Sequence, residues 1–427
     1  MILRFLSLVV LALTSLLLYA QPTVIQPADA VRINAPDQLD KPYVILISLD
    51  GYRYDYTARF QPPNLSRFIE QGVSANSLIP CFPSKTFPNH YSIVTGMYPE
   101  KHDLVNNTFY APDKRALYKI SNRAAVEDGS WYKGTPLWVQ AGRAGMVSSS
   151  FFFVGSEADV GGLRPSNYYQ YDGSVPNQTR IQQAIDWLRL PAETRPHLIT
   201  LYFSDMDDAG HRYGPNDDEK LEAALLKLDT DLGLLFEAVN EMDLPVNIVI
   251  VSDHGMAAVK PEERIPTESL ENDSLYRLVN SGPVVHVYLK EGTDLEETYQ
   301  YMRSIAEHFQ VYKTAEAPFF KNNPENPRLG DLLLIADYPH YFSGIRRIMM
   351  QRKNGVKVSG EHGFDPAIPD MHGIFYARGP AFKQGFEIPS FENIHIYPLI
   401  CSILGLEIPG EVDGRAAVLR PLLSTAP

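Results

Sequence analysis

Cysteine is nearly absent: the 427-residue chain has two, Cys81 and Cys401. Two thiols exclude a disulfide framework and a thiolate metal cage, and leave room for one bridge at most. Positive charge is also short, since 38 Lys plus Arg against 51 Asp plus Glu give a net charge of −13. Such a chain repels polyanions, which argues against a DNA-wrapping or membrane-coating protein. Any phosphate it handles must be held locally, by metal ions or aimed backbone groups. Internal repeats and low-complexity runs are missing, and no segment beyond residue 20 reads as a membrane span. What remains is an ordinary globular composition, 44% hydrophobic and 21% charged, which excludes wholesale disorder and a polytopic membrane protein. At about 150 residues per domain the length suits two or three domains, or one large α/β domain.

Residues 1–20 read as an export signal. Arg4 supplies the positive start, Phe5 to Tyr19 is mostly apolar, and Leu18-Tyr19-Ala20 is a small-residue cleavage site before Gln21. A retained anchor is the alternative, because about 20 residues suffice to span. The expectation is an exported protein, periplasmic or extracellular. Residues 21–40, with Pro22, Pro27 and Pro36, read as a leader, and the folded domain is expected over 41–427.

Three apolar runs end in acidic residues. Tyr43 to Leu49 stops at Asp50-Gly51, Leu198 to Phe203 at Ser204-Asp205, and Val246 to Val251 at Ser252-Asp253-His254. Unbroken apolar runs of this length mark strands covered on both faces of a parallel sheet. Between the last two, Leu221, Leu225, Leu228, Leu232, Leu235 and Val239 recur at helical spacing behind an acidic start, Asp217 to Glu219. Alternating strands and helices predict an α/β fold, a mostly parallel sheet with helices on both faces. Ligands of such sheets bind beyond the carboxyl ends of the strands, so the three acidic clusters are aimed at one edge.

That edge carries residues with the chemistry of a metal site. Asp207 and His211 lie four apart in SDMDDAGHRYGP, Asp253 and His254 are adjacent, Asp50 ends the first run, and His362 sits in GEHGFDP. Carboxylate oxygen and neutral imidazole are zinc ligands, although a single Asp–His pair is more often a loop anchor. Thr86, in SKTFPNH, follows the turn formers Pro80 and Pro83 and is expected at a helix N-terminus, with Pro88 tolerated in the first turn. Its hydroxyl is a nucleophile only if a base or metal ionises it. On spacing alone it is better read as a helix cap.

The stretches PCFPSKTFPNHYSIVTGMYPEKHDLVNNTFY, SDMDDAGHRYGP, VIVSDHGM and SGEHGFDP closely resemble the nucleotide pyrophosphatase/phosphodiesterase family of the alkaline phosphatase superfamily. WYKGTPLW, FFFVGSEADV and YDGSVP look like that family's nucleotide-pocket segments, and the similarity runs from about Lys41 to beyond Phe391. The resemblance implies an alkaline-phosphatase-like core and two Zn²⁺. Asp50, Thr86, Asp253 and His254 match one zinc site; Asp207, His211 and His362 match the other. Thr86 matches the nucleophile that forms a covalent nucleotidyl intermediate, and Asn107 a residue that holds a phosphate oxygen. Phe87 and Tyr171 match aromatics that sandwich the base, while Phe153 and Glu157 occupy pocket positions where some relatives carry Trp and Asp. Asp205 and Asp208 are assigned no metal, and His90, His102 and His372 are expected to be structural.

The implied reaction is zinc-dependent hydrolysis of nucleotide phosphodiester and pyrophosphate bonds, releasing nucleoside 5′-monophosphate. A metal-dependent phosphomonoesterase and a non-catalytic secreted nucleotide-binding protein are the alternatives. The partner is a nucleotide or other small phosphodiester; no nucleic-acid polymer and no span in the mature chain are expected. Residues 259–360 separate the last two metal motifs and read as a small inserted lobe, with Pro283 to Leu289 and Asp331 to Ile335 flanking a helix-like Leu295 to Phe309. Asn64, Asn106, Asn177 and Asn272 head N-glycosylation tripeptides.

Overall fold

A strand without polar alternation must be covered on both faces, and the first apolar run is so covered. The computed structural model describes residues 22–424; the expected export signal lies outside them. Its central sheet has eight strands: β1 (Tyr43–Leu49), β2 (Val73–Ala75), β3 (Ser148–Phe151), β4 (Asn167–Tyr169), β5 (Leu198–Phe203), β6 (Val246–Val251), β7 (Phe375–Arg378) and β8 (Phe386–Ile388). Their order is β8-β2-β7-β6-β1-β5-β3-β4. β1 lies parallel between β5 and β6, with Ile45 opposite Ile199 on one side and Ile248 on the other. Within this sheet β7 runs against its neighbours β6 and β2.

Seven helices frame the sheet and the site: α1 (Pro63–Glu70), α2 (Thr86–Thr95), α3 (Leu137–Arg143), α4 (Asn177–Leu188), α5 (Asp205–Tyr213), α6 (Asp218–Asn240) and α7 (Ile396–Leu404). Val44 and Leu46 point to the face covered by α2, α3 and α7. Ile45 and Ile47 point to the face covered by α1, α4 and α6. The period-two alternation of β1 thus feeds two cores rather than a core and solvent. The helical spacing read from Leu221 to Val239 is that of α6, whose Asp217 caps it by accepting from the Lys220 N–H at 3.2 Å.

Residues 22–40 lie against the far edge of the sheet. Asn34 is buried, donates to the carbonyls of Ala192 and Arg195, and accepts from the Val147 N–H at 2.7 Å. Ile25 forms an isolated bridge with Tyr168. Cys81 and Cys401 are both buried and unbonded to each other.

Within 259–360, strands Tyr276–Asn280, Val284–Leu289, Leu332–Ala336 and Phe309–Lys313 form an antiparallel sheet in that order. It has its own core, including Val285, Val287, Met302, Phe309 and Leu334. The helix there is shorter than its apolar spacing suggested, ending at Ser304. His308 takes a left-handed φ of 63° and turns the chain, so Phe309 enters the core from a strand.

Candidate metal and nucleophile site

Three adjacent strands deliver the acidic residues. Asp50 follows β1, Asp253 and His254 follow β6, and α5 begins two residues after β5 ends. The stretch holding Asp207 and His211 is helical, which puts residues four apart on one face; His211 Nε2 lies 3.3 Å from an Asp207 carboxylate oxygen. Gly51, at φ 65°, lets the chain after β1 press onto α5: a Cβ there would stand 2.7 Å from the Asp207 Cα. This close approach joins the β1 and β5 ends.

The three histidines are oriented alike. Nδ1 of His211 faces the Gly360 carbonyl at 2.8 Å, that of His254 the Gly255 carbonyl at 2.8 Å, and that of His362 the Ser84 carbonyl at 2.9 Å. A carbonyl only accepts, so each Nδ1 carries the proton and each Nε2 turns a lone pair inward. Nε2 of His254 meets Asp253 Oδ2 at 3.1 Å and Asp50 Oδ1 at 3.4 Å. Lone pair facing lone pair is the arrangement a shared cation satisfies.

Two overlapping trios lie within 4.8 Å: Asp50, Asp253 and His254, and Asp207, His254 and His362. His254 therefore stands between the expected halves, and His211 adjoins the second through Asp207.

Buried oxygens without partners mark the same place. Asp50 Oδ1, Asp207 Oδ1 and Asp253 Oδ2 accept no hydrogen bond. Burial, and then the neighbouring carboxylates Asp253 and Asp207, push the Asp50 carboxyl well above its usual range. Burial also raises Asp207, against the pull of His211 and His254. Burial pushes His254 and His362 down, keeping both imidazoles in the neutral, ligating form. Three carboxylates and three imidazoles form an oxygen–nitrogen donor set that fits zinc-like divalent ions.

Thr86 opens α2, and its hydroxyl does not cap the helix; Lys85 occupies the cap position. Thr86 Oγ1 instead lies 3.3 Å from His254 Nε2. The Asn107 side-chain oxygen Oδ1 accepts the Phe87 N–H at 2.9 Å, which leaves Nδ2 as the donor of that amide. His90 ties this turn to the cluster, with Nδ1 at 2.9 Å from the Thr86 carbonyl and Nε2 at 2.8 Å from Ser48 Oγ. Among the described residues no arginine bonds to Thr86, Asn107 or the three carboxylates.

The aromatic residues divide. Phe87 is half-buried, edge-on to Tyr118, and Tyr171 is 45% exposed with its ring against Phe152 and Tyr202. Phe153 is not at the surface: it is 1% exposed and packs on His90 and Trp138 in the core. Glu157 is also withdrawn, accepting the Tyr171 N–H at 3.0 Å and pairing with Arg123, with burial raising its carboxyl. Both side chains thus pack inside the protein, next to the residues that carry the more exposed rings.

The remaining polar residues have partners of their own. Asp205 accepts from Asn177, Asp208 from Ser204, and His372 meets Ser77 Oγ and the Pro366 carbonyl. His102 bonds Ser92. Asn106 is fully buried and bonded to His286, which closes that glycosylation tripeptide in the folded chain. Sequence reading passed over Tyr202, whose hydroxyl donates to Asp50 Oδ2 at 2.6 Å, because it sits inside an apolar strand run. It also passed over Ser84, whose carbonyl orients His362 and whose hydroxyl donates to the Phe364 carbonyl.

A family model described as type I phosphodiesterase / nucleotide pyrophosphatase matches residues 44–365. The chain belongs to this family. Ectonucleotide pyrophosphatase/phosphodiesterase family member 1 of Mus musculus is 34% identical over 405 residues, covering 91% of this chain and 44% of the relative. The chain thus spans less than half the length of that relative. The bis(5′-adenosyl)-triphosphatase of Xenopus laevis is 31% identical over 373 residues, 87% of this chain and 79% of the relative. The structure of murine ectonucleotide pyrophosphatase/phosphodiesterase 5, an inactive variant in complex with AMP, superposes with a TM-score of 0.81 at 28% identity. It covers 90% of this chain and 100% of that one. The α/β core is therefore alkaline-phosphatase-like. No helix among the described residues is long and apolar enough to cross a membrane.

Proposed function

We propose that this chain is an exported hydrolase of nucleotide phosphodiester and phosphoanhydride bonds, with Thr86 as nucleophile and two Zn²⁺ as cofactors. The observation that carries the reading is the Thr86 hydroxyl, 3.3 Å from His254 Nε2 at the start of α2, beside three carboxylates that each hold a buried, unpartnered oxygen. The names of the relatives support the substrate class, as does the AMP bound by the murine neighbour.

Asp50, Asp253, His254 and Thr86 would hold one ion, and Asp207, His211 and His362 the other. When bound, the pair supplies Lewis-acid charge for the attacking and leaving oxygens of an in-line displacement. Thr86 passes its proton to solvent and forms an O–P bond at the α-phosphorus as the bond to pyrophosphate, or to the leaving alcohol, breaks on the opposite side, the departing oxygen keeping the electron pair. Water then cleaves the threonine ester, releasing nucleoside 5′-monophosphate and freeing Thr86. Asn107 Nδ2 and the open end of α2 donate to the non-bridging oxygens.

Charge selects the substrate. Two Zn²⁺ carry +4 and the three aspartates −3, leaving +1, or zero once Thr86 ionises. A centre so close to neutral, with no arginine bonded to Thr86, favours a phosphorus bearing one negative charge over a monoester dianion. Phe87 and Tyr171 stack the base, at about 1–3 kcal/mol per aromatic contact, and Glu157 fixes the Tyr171 backbone. The test is product identity: ATP should yield AMP and pyrophosphate first. ADP and phosphate as first products would reverse the reading.

A further inference from the structure

The polar side chains behind His362 form a mostly buried network that the proposed reaction does not use. Glu361 is 1% exposed and immediately precedes His362. Its carboxylate is paired with the buried Arg264 and, at 2.5 Å, with the half-exposed Arg347. Arg264 also donates to Ser343 Oγ and to Ser359 Oγ, each at 2.7 Å. Arg264 thus binds both ends of the short strand Ser359–Glu361, which pairs antiparallel with Ala257–Val259.

That strand carries two anchors of the metal cluster. The Gly360 carbonyl accepts the His211 Nδ1–H, and His362 follows Glu361 directly. At Gly360 a Cβ would stand 2.3 Å from the Gly210 carbonyl, so this backbone seats directly on α5 beside His211. Arg264 is in register with Tyr341 in a second ribbon, and the Tyr341 hydroxyl accepts from the Lys85 ammonium at 3.1 Å. The same network therefore braces the residue before Thr86.

We propose that Arg264 and Glu361 are positioning residues for the His211 and His362 half of the metal centre, fixing the register of the strand that aims both imidazoles. The inference rests on the two-ion reading above. Hydrogen bonds from a forked guanidinium fix direction as well as distance, whereas apolar packing in their place would hold the strand without fixing where Gly360 and His362 point.

The test separates positioning from stability. The zinc-loaded full chain is dialysed against a graded chelator series, and bound metal is counted by elemental analysis beside thermal melting. Two variants are compared with the parent: Glu361→Gln, and the paired Arg264→Met with Glu361→Met, which removes both partners of the buried ion pair together, with the melts reporting whether the fold is kept. In both, one ion should be lost about 10–100-fold more readily, the range for removing groups that orient metal ligands. The ion on Asp50, Asp253 and His254 should leave as in the parent. Parental retention of both ions in the two variants, or an equal shift of both, would overturn the positioning role. A parent that binds no zinc would overturn the metal-centre reading along with it.

Discussion

The two parts of the candidate site, the carboxylate–histidine cluster and the aromatic pair, are built differently. At the proposed metal end Asp50, Asp253, His254 and His362 are buried, Thr86, Asp207 and His211 are partly buried, and each of the three histidines is tied to a backbone carbonyl. At the aromatic end Tyr171 is 45% exposed, and what holds it is a single backbone bond to Glu157 and edge contacts to neighbouring rings. The first end has its geometry fixed before any ligand arrives, as chemistry requires. The second can adapt, as recognition of a variable base allows. Changes at the metal end should therefore be all-or-none and independent of substrate, and changes at the aromatic end graded and substrate-dependent.

Metal removal gives the largest expected effect. Exhaustive chelation should abolish turnover of every substrate alike, and added Zn²⁺ should restore it. Full activity in protein shown by elemental analysis to hold no metal would break the comparison at its stronger end.

Tyr171→Ala comes next. Losing one stacking contact of about 1–3 kcal/mol should lower kcat/KM for nucleotides about 5–150-fold. A small aryl phosphodiester, with no base to stack, should be affected less than about twofold. Equal losses on both substrates would mean that Tyr171 supports the metal end instead, through its contact with Tyr202 and so with Asp50.

An effect on stability rather than on turnover comes from histidines away from both ends, and it sharpens what sets the histidines of the cluster apart. Burial pushes His102 down to about 3 and His286 down to about 4. In the unfolded chain both titrate near 6.5. Each stays neutral when folded, so its contribution is whole above about pH 6.5 and is lost as pH falls toward the folded value, at about 1.4 kcal/mol per pH unit. Urea midpoints should decline between pH 6.5 and 4, and His286→Gln should flatten that decline. An unchanged slope in the variant would show that His286 protonates as easily folded as unfolded.

The metal end was also the legible one. β1, β5 and β6 are continuous apolar runs that stop at aspartates, so pattern alone aimed Asp50 and Asp253 at one edge. α5 was not legible, because SDMDDAGHRYGP has too few apolar residues to show a helical period, and its fold comes from packing on Gly51 and Gly360. Tyr202 was hidden because a strand buried on both faces conceals a polar tip among apolar neighbours. The burial of Phe153 and Glu157 was not legible, because a resemblance carries position along the chain but not depth. The early end of the 295–304 helix depends on a left-handed turn at His308, which apolar spacing does not signal.

The central claim is that Thr86 attacks the α-phosphorus, and one measurement reaches it directly. The enzyme is mixed with ATP labelled in the α-phosphate, quenched in acid within the first turnover, digested, and the peptide holding residues 85–90 is analysed by mass spectrometry. The account predicts a labelled nucleotidyl ester on Thr86, absent in Thr86→Ala, whose turnover falls by at least about a thousandfold. A parent peptide that stays unlabelled while AMP accumulates, with Thr86→Ala turning over at the parental rate, would contradict it.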